Sequence, residues 1–283
     1  MENKLYKKLK PFPREINKEF CERLGHVNPL FCLLDVATTE FSSELNRSTH
    51  PSKFVRDKSK LHGHSHLYTE KLKFYEARRY LFVSHIAFLL TCAEFACRKI
   101  QKHQLTKSID QTDRDKNLGD FIRRTVRIVL LTKTNGPVAS PPDSNAVSSI
   151  LSDTSISLAD YYRLIRNTEL HASTPEEKVT SPQEFYKTLP IEKIESEYKR
   201  KPSVFNQLTF DDVLLCSMAL QNIVKALSSG LLSNEMIATL LQKSFGNLDK
   251  NRRINAATEF CRQDLLLEQF QIKEVFESLG WLA

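Results

Sequence analysis

Glycine is scarce, with 7 in 283 residues, and the strand-favouring residues are scattered instead of gathered into alternating runs. A sheet needs tight turns and alternation, so helices are favoured. No uncharged apolar run of about 18 residues occurs, and the chain opens Met1-Glu2-Asn3-Lys4-Leu5 in place of an apolar signal core. Nothing marks it as secreted or membrane-embedded. The six cysteines (Cys21, Cys32, Cys92, Cys97, Cys216, Cys261) include no Cys-x-x-Cys pair. Four of them sit in apolar helical stretches, where a thiol behaves as a small hydrophobe, and a reducing cytoplasm is the expected setting.

What is present is a chain long enough for one large domain or a central domain with terminal additions, with 41% hydrophobic residues. Lys and Arg outnumber Asp and Glu, 41 to 34, for a formal charge of +7. That balance permits a polyanionic partner without requiring one.

Residues 1–68 read as an irregular or weakly helical N-terminal extension, broken by Pro11, Pro13, Pro29 and Pro51, with Leu30-Phe31-Cys32-Leu33-Leu34 as a run to be buried. From Tyr68 to His103 no proline intervenes, and Phe74, Ala77, Leu81, His85, Phe88, Cys92, Phe95 and Ile100 recur near the helical period. A polar stretch, Lys107 to Lys116, leads to a helix over Leu118–Lys133, whose Arg123, Arg124 and Arg127 supply a basic side. Asn135 to Asp153, rich in Pro, Ser and Asn, reads as a loop of the kind that flanks clefts. A further helix is expected from Ser157, its N-cap, to His171, with Pro175 ending it. Thr209-Phe210-Asp211-Asp212 then opens a helix over Asp211–Ser228, closed by Gly230, and short amphipathic helices follow near Ser233–Lys243 and Ala256–Leu279. The expected fold is all-α, divided into residues 1–68, a helical domain over 69–230 and a C-terminal helical segment over 231–283.

The chemistry concentrates in Arg166-Asn167-Thr168-Glu169-Leu170-His171. Asp160, Arg163, Asn167 and His171 are spaced three, four and four apart, along one stripe of a helix, with Arg166 at its border. Tyr161, Leu164, Ile165 and Leu170 supply the packing surface. A histidine of near-neutral pKa can take a proton from a ribose 2′-hydroxyl or give one to a leaving 5′-oxygen. A guanidinium matches a phosphate and the charge that grows on it in the transition state. Together they suffice to cleave RNA without a metal, and the Asn167 amide can orient either group. The same residues also read as an ordinary helix C-terminus, where basic groups meet the dipole and the last carbonyls.

Arg-Asn-x-x-x-His at the end of an amphipathic helix resembles the signature of the HEPN ribonuclease superfamily. The resemblance implies a dimerising helical bundle in which two copies of the motif form one composite site, cut single-stranded RNA and leave a cyclic phosphate. On that reading Arg166 stabilises the phosphate, His171 is the acid/base and Asn167 supports them, with no cofactor. The looser pattern, Arg followed by His after four to six residues, also matches at Arg56/His62, Arg78/His85, Arg79/His85 and Arg98/His103, but only Arg166 is followed by Asn. The family branch paired with a nucleotidyltransferase antitoxin carries Tyr two residues after the His. Here that position is Ser173, so modification of such a tyrosine is not expected. The chain is more similar to larger stand-alone members associated with abortive infection and phage defence, which implies a toxin or antiviral enzyme. Such an enzyme would need restraint, and an antitoxin or sensor is the partner the resemblance suggests.

Other clusters carry two readings each. His62-Gly63-His64-Ser65-His66 is either a solvated loop or, with alternate side chains pointing one way, a metal site. His85 is a core histidine or a reserve acid/base. Arg123, Arg127 and Arg163 line an RNA path or lie on a solvated face. Trp281, the only tryptophan, is a packing anchor for the C-terminal helix or a base-stacking platform. The expected function is therefore that of a homodimeric, metal-independent endoribonuclease, and the alternative is a non-catalytic helical module that binds nucleic acid or protein through the same surface.

Overall fold

The computed structural model describes residues 10–64, 66, 68–71, 73–106, 109, 120–133, 138, 141–170 and 181–282. Among these the protein is all-α: no strand occurs, and twelve α-helices follow one another. They are α1 (Pro13–Arg47), α2 (Pro51–Leu61), α3 (Phe74–Gln101), α4 (Phe121–Lys133), α5 (Ser144–Ser148), α6 (Asp153–Leu170), α7 (Pro182–Tyr186), α8 (Ile191–Tyr198), α9 (Phe210–Ser229), α10 (Asn234–Phe245), α11 (Lys250–Gln263) and α12 (Gln269–Ser278).

The N-terminal region differs from the sequence expectation. In place of irregular chain, α1 runs for 35 residues with Pro29 inside it. A proline within a helix removes one backbone bond and costs about 3 kcal/mol. The burial of Phe12, Ile16, Phe20, Leu24 and Phe31, spaced four, four, four and seven apart, outweighs that cost. Pro13 begins the helix, where its missing N–H is not needed, and the Phe12 N–H donates to the Glu15 carboxylate at 2.6 Å. Of the Leu30–Leu34 run only Phe31 is buried, while Leu30 and Leu33 are 55% and 63% exposed. Five consecutive apolar residues span more than one helical turn, so they cannot all face inward.

Along α3, Phe82, Val83, Ile86, Leu89, Leu90, Ala93, Cys97 and Ile100 are buried, a stripe wide enough for neighbours on more than one side. This helix is long and apolar enough to cross a membrane by length and composition, yet 56% of its most apolar window is buried inside the protein. The Asp120 carboxylate caps α4 by accepting the Ile122 N–H at 2.9 Å. The segment read as loop between Asn135 and Asp153 contains α5, capped by Asp143. Ser152 caps α6, accepting the Ser155 N–H at 3.2 Å, so the helix begins at Asp153 and its cap lies five residues before the expected one at Ser157. Thr209 and Asp212 begin α9 as expected, with the Thr209 N–H donating to the Asp212 carboxylate at 2.8 Å. Gly230 follows α9 in a tight place, since a Cβ there would lie 3.0 Å from Val129 Cγ1.

The chain divides into two compact units, each built from separated stretches. Unit 1 comprises Met1–Glu22, Thr91–Ile156 and Leu220–Ala283, and unit 2 comprises Arg23–Leu90 and Ser157–Ala219. Unit 1 contains an apolar cluster in which Phe12, Leu232, Ile237, Leu240, Leu241, Val275, Phe276 and Trp281 are buried together. Trp281 packs at 5.5 Å from Phe276, with the Arg253 guanidinium 4.8 Å from its ring. Unit 2 is centred on Tyr161, Tyr162, Ile165, Leu215 and Cys216.

Candidate functional site

Helix α6 is placed by its own aromatic pair. Tyr161 and Tyr162 are fully buried, and their hydroxyls donate to the Ser203 carbonyl at 2.6 Å and to the Asp212 carboxylate at 3.0 Å. Burial first, and then the nearby Asp212 charge, push both phenols well above their ordinary range. They remain neutral donors, which makes them anchors. With these two side chains fixed, the rotation of α6 is set, and so is the direction in which its last described turns present Arg163, Arg166 and Asn167.

Arg166 is half-buried and donates from Nε and Nη2 to the single Asn167 Oδ1, at 3.1 and 2.8 Å. This fork onto one amide oxygen orients the guanidinium. Arg163 donates to Asp160 at 3.3 Å. Asp160 is buried, so the stripe that runs through it turns inward at its N-terminal end.

A contact that sequence reasoning missed sits one turn on. Glu169, inside the motif, forms a two-pronged ion pair with Arg79 of α3, at 2.9 Å (Nη1 to Oε1) and 3.1 Å (Nη2 to Oε2). The two side chains are 21% and 8% exposed. The Arg79 guanidinium also lies 5.4 Å from the Phe205 ring centroid. Arg79 thus ties the last turn of α6 to α3 with the planar geometry that a lysine does not reproduce. Its only sequence signal was a loose spacing to His85, which belongs to a different interaction.

His171 lies outside the described residues, as do Ala172, Ser173, Thr174 and Pro175. The remaining candidates are described. His85 is 4% exposed and stacks on Phe31 at 3.7 Å between centroids. Burial lowers its pKa to about 4 against the opposing pull of Asp35. It is a neutral core histidine at neutral pH, unsuited to the reserve acid/base role. His103 is buried and bonded to the Pro11 carbonyl at 3.1 Å. His62, His64 and His66 are exposed, and among the described residues no group of three or more His, Cys, Asp or Glu is placed to hold a metal ion.

The basic side expected on α4 is corrected. Arg127 is 3% exposed, within a face formed by Ile122, Val126, Ile128 and Val129, so it cannot line a path for RNA. Helical periodicity turns it inward with its apolar neighbours. Arg123 is partly exposed and pairs with Asp120. Both belong to unit 1, whereas Arg163, Arg166 and Asn167 belong to unit 2. Three of the buried thiols are poor nucleophiles: burial pushes Cys97 and Cys261 up to about 12 and Cys216 higher still.

The chain matches no protein-family model, no curated protein and no solved structure.

Proposed function

We propose that the protein is a metal-independent endoribonuclease that acts on single-stranded RNA as a homodimer. The observation that supports this reading is the Arg166 guanidinium held by Asn167, five residues before His171 in the sequence, on a helix whose end is clamped through Glu169 to Arg79. A guanidinium of fixed orientation and an acid/base histidine are the two functions that phosphodiester transfer needs, and Arg166 and His171 supply one of each.

In the proposed reaction one His171 removes the proton from a ribose 2′-hydroxyl. The 2′-oxygen attacks the adjacent phosphorus, the P–O5′ bond breaks, and the His171 of a second protomer protonates the departing 5′-oxygen. The products are a 2′,3′-cyclic phosphate and a free 5′-hydroxyl. Arg166 neutralises the charge that builds on the phosphoryl oxygens, a contribution worth roughly 10²–10³ in rate for one well-placed donor. A toxin or antiviral role, in a reducing cytoplasm under the restraint of an antitoxin or sensor, accords with an enzyme that destroys RNA.

Incubation of end-labelled single-stranded RNA with the protein in excess EDTA tests the reading. Wild type is expected to cut, and Arg166→Ala to cut about 10²-fold more slowly. Loss of cleavage on adding EDTA, or full activity in Arg166→Ala, overturns it. RNA that is bound in a salt-dependent way and left intact assigns the chain to the non-catalytic binding class.

A further inference from the structure

Unit 1 holds a pocket with a different chemistry, at the C-terminal end of α3. Its volume is about 480 Å3, within the roughly 300–1,000 Å3 of small-molecule sites. Lys10, Arg98, Lys99 and Lys102 line it together with Phe95 and His103, and no carboxylate is among the lining residues. Two of the cations are partly neutralised from outside the pocket: Arg98 by Glu94 at 2.6 Å, and Lys99 by Glu19. Lys102 pairs with no carboxylate among the described residues.

Hydrogen bonds hold the wall of the pocket beyond the helix. The Leu105 N–H donates to His103 Nδ1 at 3.2 Å, which puts the ring proton on Nε2, and Nε2 donates to the Pro11 carbonyl at 3.1 Å. The Thr106 hydroxyl bonds the Gln101 and His103 carbonyls, each at 2.7 Å, and so closes the chain beyond the helix. Phe95 is 39% exposed, with Lys99 Nζ 5.4 Å from its ring centroid. The helix end contributes only about half a negative charge, so the cations dominate the field in the pocket.

A ligand that fits needs a flat apolar body to cover Phe95 and an anionic group to reach Lys102 and Arg98. We infer that this pocket binds a nucleoside monophosphate, with the base stacked on Phe95 and the phosphate held by Lys102 and Arg98. This inference stands apart from the RNA-cutting reading, because the pocket shares no residue with the Arg166 site.

Calorimetric titration of the full-length protein with AMP, GMP, CMP and UMP tests it, with adenosine and inorganic phosphate as the separate halves of the ligand. At least one monophosphate is expected to bind, with adenosine and phosphate each about tenfold weaker or more. Lys102→Glu and Phe95→Ala, both at exposed positions, are each expected to weaken binding at least about tenfold while the thermal unfolding midpoint stays within a degree or two of wild type. No binding of any monophosphate at millimolar concentration, adenosine binding as tightly as AMP, or unchanged affinity in either variant overturns the inference. The two ligand halves, measured on wild type alone, keep the question decidable should a variant fold poorly.

Discussion

The C-terminal helices and the surroundings of α6 are stabilised by opposite means. In the first region Leu232, Ile237, Leu240, Leu241, Val275 and Phe276 pack hydrocarbon against hydrocarbon. Polar side chains there work mainly at helix starts, where Ser233 accepts from the Met236 N–H and Asp249 from the Arg252 N–H. In the second region polar groups are buried. Asp212, fully inaccessible to solvent, accepts from the Tyr162 hydroxyl, the Ser203 N–H and both the N–H and hydroxyl of Thr209. Apolar packing is non-directional and tolerates small rotations, whereas a buried carboxylate with four donors accepts one arrangement. The second kind of stabilisation is found where the orientation of Arg166 matters.

The largest effect expected from breaking this contrast comes from Asp212→Ala. It strands the Tyr162 hydroxyl and the Ser203 N–H, and the loss should be about 3–5 kcal/mol by urea denaturation. Leu241→Ala in the apolar cluster should cost a similar ~2–5 kcal/mol, but the two should part in RNA cleavage. At equal fraction folded, Asp212→Ala should slow cutting, and Leu241→Ala should leave its rate unchanged. Equal effects on the rate would erase the distinction between the regions.

Acid provides the second test. His85 has a folded-state pKa of about 4, lowered chiefly by burial, against about 6.5 in an unfolded chain. The unfolded state therefore takes up the proton first. The stability contributed by neutral His85 is complete above pH 6.5 and is lost as pH falls toward 4, by up to ~3 kcal/mol. His85→Leu should flatten the wild-type curve in that window, and a variant with the same acid dependence as wild type would contradict the assignment. The apolar cluster contains no group that titrates there.

A smaller change is expected from Arg79→Ala, since its pair with Glu169 is partly solvated and screened: about 1–2 kcal/mol in the same denaturation experiment. Its cleavage rate should fall further than Arg79→Lys, because lysine keeps the charge and loses the two-pronged geometry. Identical rates for the two variants would show that only charge matters at the end of α6.

The all-α class and the positions of α3, α6 and α9 were legible in the sequence, because apolar spacing near the helical period and the Thr209/Asp212 start are local signals. What was not legible depended on competition or distance. Pro29 lies inside α1 because a line of buried aromatic and aliphatic residues outweighs one lost bond. Ser152 and Ser157 are equally suitable caps by residue type, and the sequence alone did not show that Ser152 is the one that accepts a backbone N–H. Arg127 reads as a surface charge in any table of residue types, yet helical phase turns it inward. At the candidate site, Arg166 and Asn167 were visible as neighbours, whereas the Arg79–Glu169 pair joins residues 90 positions apart, and no short-range pattern reports it.

The central claim, that the segment from Arg166 to His171 cuts RNA, is tested most directly by the chemistry of the ends it leaves. Single-stranded RNA treated with wild-type protein in EDTA should carry 2′,3′-cyclic phosphate and 5′-hydroxyl termini, and His171→Ala should leave the RNA intact over the same period. Products with 5′-phosphate termini, or cleavage by His171→Ala at the wild-type rate, would contradict the account.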